Sequence, residues 1–95
     1  MTDHVNKPSV TVSASTTSAA NAYGVNGAGN GVWIYNSGSV AVHVKSGGSS
    51  VEATTADNVI PAGQARTLQR DPNDTHLAIR TASSTATVYF HGTTI

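Results

Sequence analysis

Four kinds of residue in this chain have the chemistry to support a function. The run "NGAGNG" places Gly27, Gly29 and Gly31 at a spacing superficially like that of dinucleotide-binding loops. Those loops follow a strand and open a helix whose N-terminal amides hold phosphate. Here the run precedes the apolar stretch "VWIYN", no helical period follows, and no lysine stands where a phosphate loop needs one. It reads as a flexible connection.

The four histidines, His4, His43, His76 and His91, would form a metal centre only if the fold brought them within bonding distance of one point, and spacing alone does not require that. His43 and His91 alternate with apolar neighbours and share an outward face with Lys45 and Tyr89, as solvated or interface histidines do. "DPNDT" echoes the first ligands of a calcium loop, but lacks its glycine and distal glutamate, and a proline turn capped by Asp71 and Asn73 explains the same residues. No serine, histidine and carboxylate assemble into a specific nucleophilic site. No catalytic residue, metal or cofactor is expected, and the chain is read as a non-enzyme.

The elements that must position any functional surface are short strands. The chain has 95 residues, no cysteine, and five basic residues balancing five acidic ones. Such a length fits one domain and buries only about 60 to 65 per cent of its unfolded surface. Balanced, unclustered charge argues against direct nucleic-acid or membrane-surface binding. No apolar run reaches the roughly 20 residues of a membrane span, and "MTDHVNKPSV" lacks the apolar core of a signal peptide. Val, Ile, Leu and Phe make up only 18 residues, against 24 Ser and Thr and 13 Ala. That composition favours strands and loops over long helices.

Residues 1–31 read as an N-terminal arm and glycine-rich loop. One strand, "SVTVSAS", places Val10, Val12 and Ala14 on one face, and "TTSAANAYGVNGAGNG" has no period. A structureless loop of this length is usually functional, disordered or ordered by a partner, and the arm's strand is suited to joining a neighbour's sheet edge. Residues 32–95 read as the folded domain. "VWIYN" is apolar on both faces, as in a central strand buried on one side and covered on the other. "VAVHVKS" alternates with Val40, Val42 and Val44 inward, and "NSGS" is expected to join these two strands as a hairpin. "IPAG" fits a type I turn. In the last third, Leu77, Ile79, Val88 and Phe90 point inward. Seven or eight strands without a helix imply an all-β, antiparallel β-sandwich or jelly-roll-like small barrel.

With chemistry set aside, surface remains. Arg66, Leu68 and Arg70 share one face of "ARTLQR", Arg80 lies on a nearby strand, and Ile95 supplies an apolar end. Together with Val10, Val12 and Tyr23 on the arm, these are the candidate interface residues, because arginine and aromatic side chains are enriched at protein interfaces. Charge guarding a solvated edge strand would explain the arginines equally. A second class of function uses Trp33, Tyr35 and Tyr89 as stacking platforms for sugars, and it requires that Trp33 not be buried.

The segments "VWIYNSGSVAVHVKSG", "TTADNVIPAGQARTL" and "THLAIRTASSTATVYFHG" resemble a recurring pattern in small virion proteins of tailed bacteriophages. The resemblance spans Val32 to Gly92. It implies a β-sandwich subunit on the virion, made in the host cytoplasm: a cement or decoration protein, bound to the major capsid protein as a homo-oligomer, dimer or trimer. Related sandwiches occupy fibres and tails. The family carries no catalytic residues.

Overall fold

In the computed structural model, which describes residues 10–23, 30–71 and 73–93, the chain forms eight strands. These are β1 (Val10–Ala14), β2 (Ala19–Ala22), β3 (Gly31–Asn36), β4 (Val42–Gly47), β5 (Asn58–Ile60), β6 (Ala65–Gln69), β7 (His76–Thr81) and β8 (Ala86–Thr93). They build two four-stranded sheets, ordered β1-β8-β3-β6 and β2-β7-β4-β5, with every pair antiparallel. The architecture is the antiparallel β-sandwich that the alternation implied, with the strand order of an eight-stranded jelly roll.

Strand periodicity explains the core. Side chains alternate across each pleated strand, so one apolar set per strand meets the facing sheet. Val32, Ile34, Val88 and Phe90 from the first sheet and Val42, Val44, Leu77 and Ile79 from the second are fully buried. Fully burying one such side chain stabilises the fold by about 1.5 to 3 kcal/mol.

Three local expectations are corrected. β3 and β4 do not pair as a hairpin; they lie in different sheets. Asn36, fully buried at the end of β3, makes the corner: its Nδ2 donates to Val40 O at 2.8 Å and Ile60 O at 3.0 Å, and its Oδ1 accepts from Gly38 N at 3.0 Å. These bonds commit the chain to cross sheets, because a hairpin would leave that amide buried without partners. Gly38 is needed for close approach: a Cβ there would sit 2.5 Å from Ala86 Cβ and 2.8 Å from Ala86 Cα. Gly38→Ala is expected to cost about 1 to 3 kcal/mol, checked by urea unfolding.

The second correction concerns the turn at Pro61. Gln64 N donates to Pro61 O at 3.1 Å, which puts Pro61 first and Gly63 third, and Gly63 has φ +72°. A positive φ at the third position belongs to a type II turn, not type I. Asn36 N donates to Gln64 O and Gly63 N donates to Asn36 O, each at 2.9 Å, so Gly63 and Gln64 together oppose one residue in a glycine bulge.

The third is the arm. β1 pairs with β8 of its own sandwich, Val10 opposite Phe90, rather than with a neighbour. β2, within the stretch expected to be a loop, pairs with β7. The sandwich therefore begins at Val10, well before residue 32. Residues 1–9 and the glycines Gly27 and Gly29 lie outside the described residues.

The two outer faces differ. On the second sheet, the connection between β4 and β5 folds back over the strands. Val51 packs so closely on Gly47 that a Cβ there would meet it at 2.8 Å. Ala53 is buried and donates its N–H to Ser18 Oγ at 2.8 Å, and the outward-facing Ala78 is fully covered. Asp57 closes this connection by accepting from Thr54 N at 2.7 Å, which holds its carboxyl below the ordinary 3.8. The first sheet's outer face is the one on which aromatic rings stand.

Candidate functional site

Because Val32 and Ile34 face the core, Trp33 and Tyr35 project from the outer face of β3; because Val88 and Phe90 face it, Tyr89 and His91 project from β8. The β3–β8 register sets Trp33 opposite His91 and Tyr35 opposite Tyr89, so four rings form a two-by-two array. The Trp33 and His91 centroids are 5.1 Å apart at 23°. Tyr35 and Tyr89 are 6.1 Å apart at 16°, and Trp33 and Tyr35 are 6.2 Å apart at 28°. Near-parallel rings at such distances attract by about 0.5 to 1.5 kcal/mol per pair beyond area burial. All four are half-buried, so each keeps exposed ring surface.

The described outward positions around the array carry no formal charge. By register, Thr11 flanks Tyr89 on one side, and Ala65 and Thr67 flank Tyr35 and Trp33 on the other. Ser13, Gly31, Gln69, Thr87 and Thr93 complete the outer positions of the four strands, none of which carries Lys, Arg, Asp or Glu. Such a face can stack on flat or C–H-rich surfaces and exchange neutral hydrogen bonds at its rim. It offers no paired acid and base among the described residues. Among the described residues, no group of three His, Asp or Glu is placed to share a metal ion. His43 instead lies on the second sheet with Nδ1 3.3 Å from Asp57 O, and His76 Nδ1 is 2.8 Å from Thr75 Oγ1.

The eight candidate interface residues do not form one surface. Val10, Val12 and Leu68 point inward and pack, half-buried, against the core. Arg66 is exposed on edge strand β6, while Arg80 stands on the outer face of the other sheet with Nε donating to Thr81 O at 3.1 Å. Ile95 lies outside the described residues. Tyr23 and Arg70 are corrected most: both are buried, and against each other. The Arg70 guanidinium carbon is 4.2 Å from the Tyr23 ring centroid, and its Nε and Nη1 donate to Gly31 O at 2.8 Å and Asp74 O at 3.1 Å. Arginine and tyrosine satisfied this way are internal fittings, not contact residues.

Tyr23 also meets Phe90 edge-on at 5.7 Å, with its hydroxyl 3.0 Å from Ser46 Oγ. Burial pushes its phenol above the ordinary 10.0, against smaller opposing effects of the Ser46 hydrogen bond and Arg70. A folded value above the unfolded one means that the neutral phenol stabilises the fold below pH 10 and the benefit is lost as pH rises through the folded value. Thermal unfolding above pH 10 should therefore fall more steeply in the wild type than in Tyr23→Phe.

Trp33, Tyr35 and Tyr89 were legible as stacking candidates; the covering expected over the second face of "VWIYN" is corrected, because Trp33 and Tyr35 are only half-buried. The joining of His91 to Trp33 was not legible, because it depends on the β3–β8 register.

No protein-family model matches the sequence, and no curated protein matches it. Among solved structures, the chain is similar to the crystal structure of PirA, with a TM-score of 0.53 and 16% sequence identity over 93% of this chain and 95% of that one. At that identity the likeness shows the fold: a small all-β sandwich.

Proposed function

We propose that the chain is a non-catalytic binding protein that docks through the aromatic face of its first sheet, and that its target is the major capsid protein on the outside of a tailed-phage shell. The observation that carries the docking reading is the four-ring array itself. Three of the chain's five aromatic residues stand outside a core that has few large side chains to spare. Trp and Tyr concentrate binding energy at interfaces when a partner excludes water from them. The resemblance of Val32 to Gly92 to small virion proteins supports the choice of partner, and jelly rolls serve both viral capsids and lectins. Fold alone names neither.

A decoration protein acts by mass action: each docked copy buries roughly 1,000 to 2,000 Å² and links neighbouring shell subunits. The test is co-sedimentation of the purified chain with undecorated capsids, together with the temperature at which the shells rupture. Capsids that neither bind it nor gain resistance end the capsid reading.

A second reading, glycan binding, is favoured by the half-exposed Trp33 within a rim of neutral hydroxyls. Tryptophan emission that shifts on titration with oligosaccharides, without capsid binding, would select it.

A further inference from the structure

We infer that β6 is a dimerisation edge, pairing antiparallel with β6 of a second copy in a register centred on Thr67. Among the described strands β6 ends its sheet, bonded to β3 on one side only, and four of its five residues are exposed. Its hydrogen-bond phase is fixed at both ends. Asn36 N donates to Gln64 O at the start, and Arg70 N donates to Asn30 O at 2.9 Å at the finish. In an antiparallel ladder, bonded and non-bonded pairs alternate. With Ile34 opposite Arg66 and Val32 opposite Leu68, it is Arg66 and Leu68 that bond toward β3. Ala65, Thr67 and Gln69 therefore aim their N–H and C=O groups away from the sheet.

A two-fold axis at Thr67 uses all of these groups. It makes Thr67 and the second copy's Thr67 one bonded pair, and Ala65 with Gln69 the two others, so three outward donors and three outward acceptors per copy are matched. Side chains agree with this register. Arg66, a charge of the kind that guards edges against pairing, falls opposite Leu68 of the second copy and not opposite another arginine. Threonine opposite threonine is a favourable cross-strand pair.

The edges of the second sheet fit less well. β5 has three residues and β2 four, so neither presents as long a ladder as the five residues of β6. Pairing at β6 would create one continuous eight-stranded sheet, with the two β3 strands three strand spacings, about 14 Å, apart. Both aromatic arrays would then lie on the same face and bind bivalently. That bivalency rests on the docking reading above; the dimer does not.

The experiment is light scattering on the purified chain over a concentration series, with amide exchange by NMR. A dimer is expected, with the Ala65, Thr67 and Gln69 amides becoming protected as concentration rises. Thr67→Pro removes one outward donor without touching the bonds to β3, a position where edge strands accept proline. Thr67→Asp sets two carboxylates opposite each other on an exposed site and tests the same pairing if the proline variant folds poorly. Each should raise the dimer dissociation constant by about tenfold or more, with an unchanged far-UV spectrum for the aspartate variant. A wild-type monomer at all concentrations, or a dimer that Thr67→Asp leaves intact, overturns the inference. A monomer that still binds capsids through Trp33 would discard the dimer alone.

Discussion

Arg70→Ala should cost about 3 to 5 kcal/mol of folding stability, the largest loss expected from one substitution in this chain. The side chain is 4% exposed and donates to the carbonyls of Gly31 and Asp74, which sit at the start of β3 and in the β6–β7 connection. Truncation leaves both acceptors without that donor, and each buried unsatisfied group costs about 1 to 3 kcal/mol. It also removes a cation held over the Tyr23 ring, a contact worth about 2 kcal/mol when desolvated. A domain of this size has about 5 to 14 kcal/mol in total, so the variant should unfold at markedly lower urea. Arg70→Lys keeps the charge but lacks the planar fork that reaches two carbonyls at once, and should recover only part of the loss. A cost below about 1 kcal/mol for Arg70→Ala would mean that this arginine is not the internal tie its contacts describe.

Trp33→Ala should act on the opposite property. Its ring lies on the outer face and contacts other rings rather than the core, so folding should lose only about 1 kcal/mol. Binding should lose about 2 to 4 kcal/mol, a factor of roughly 30 to 1,000 in affinity, as expected when a central aromatic anchor is cut from an interface. The control is Val59→Ser: Val59 is 50% exposed on β5, in the other sheet, and its loss should leave binding unchanged. Measured against capsids and against oligosaccharides, the same pair of variants tells which target uses the face. If Trp33→Ala binds both as the wild type does, the aromatic array is not the docking surface.

How far the sequence reached follows from what each residue pattern encodes. Alternation at Val10, Val12 and Ala14, at Val42 and Val44, and at Val88 and Phe90 carries strand and inward face together, and these were legible. β2, with the sequence Ala-Ala-Asn-Ala, has neither β-branched residues nor alternation; pairing with β7 makes it a strand, and a local reading has no access to that. The hairpin expected at "NSGS" failed for a related reason. Turn residues report that the chain bends, while the sheet it enters is decided by the buried amide of Asn36, which has partners 4 and 24 residues away. Arg70 and Tyr23 were each read as surface residues, since arginine is rarely buried without a partner. Forty-seven positions separate them, and nothing local indicates that each is what allows the other inside. Trp33 and Tyr35 were visible as neighbours two apart, but the square they complete with Tyr89 and His91 is a product of register.

The order of strands also sets when this protein can fold. Of the consecutive strand pairs, β4 and β5 alone lie side by side in one sheet; every other connection crosses between sheets. β8 follows the other seven described strands in the chain, yet it sits between β1 and β3 and supplies Phe90 to the core. Until a ribosome has released that segment, β1 has no neighbour in its sheet among the described strands and β3 has only the edge strand β6. Few local contacts precede the long-range ones, which places folding among the slow topologies, in milliseconds to seconds. All eight strands should therefore be made before the first sheet forms, leaving the strand edges of the nascent domain exposed to chaperones until then.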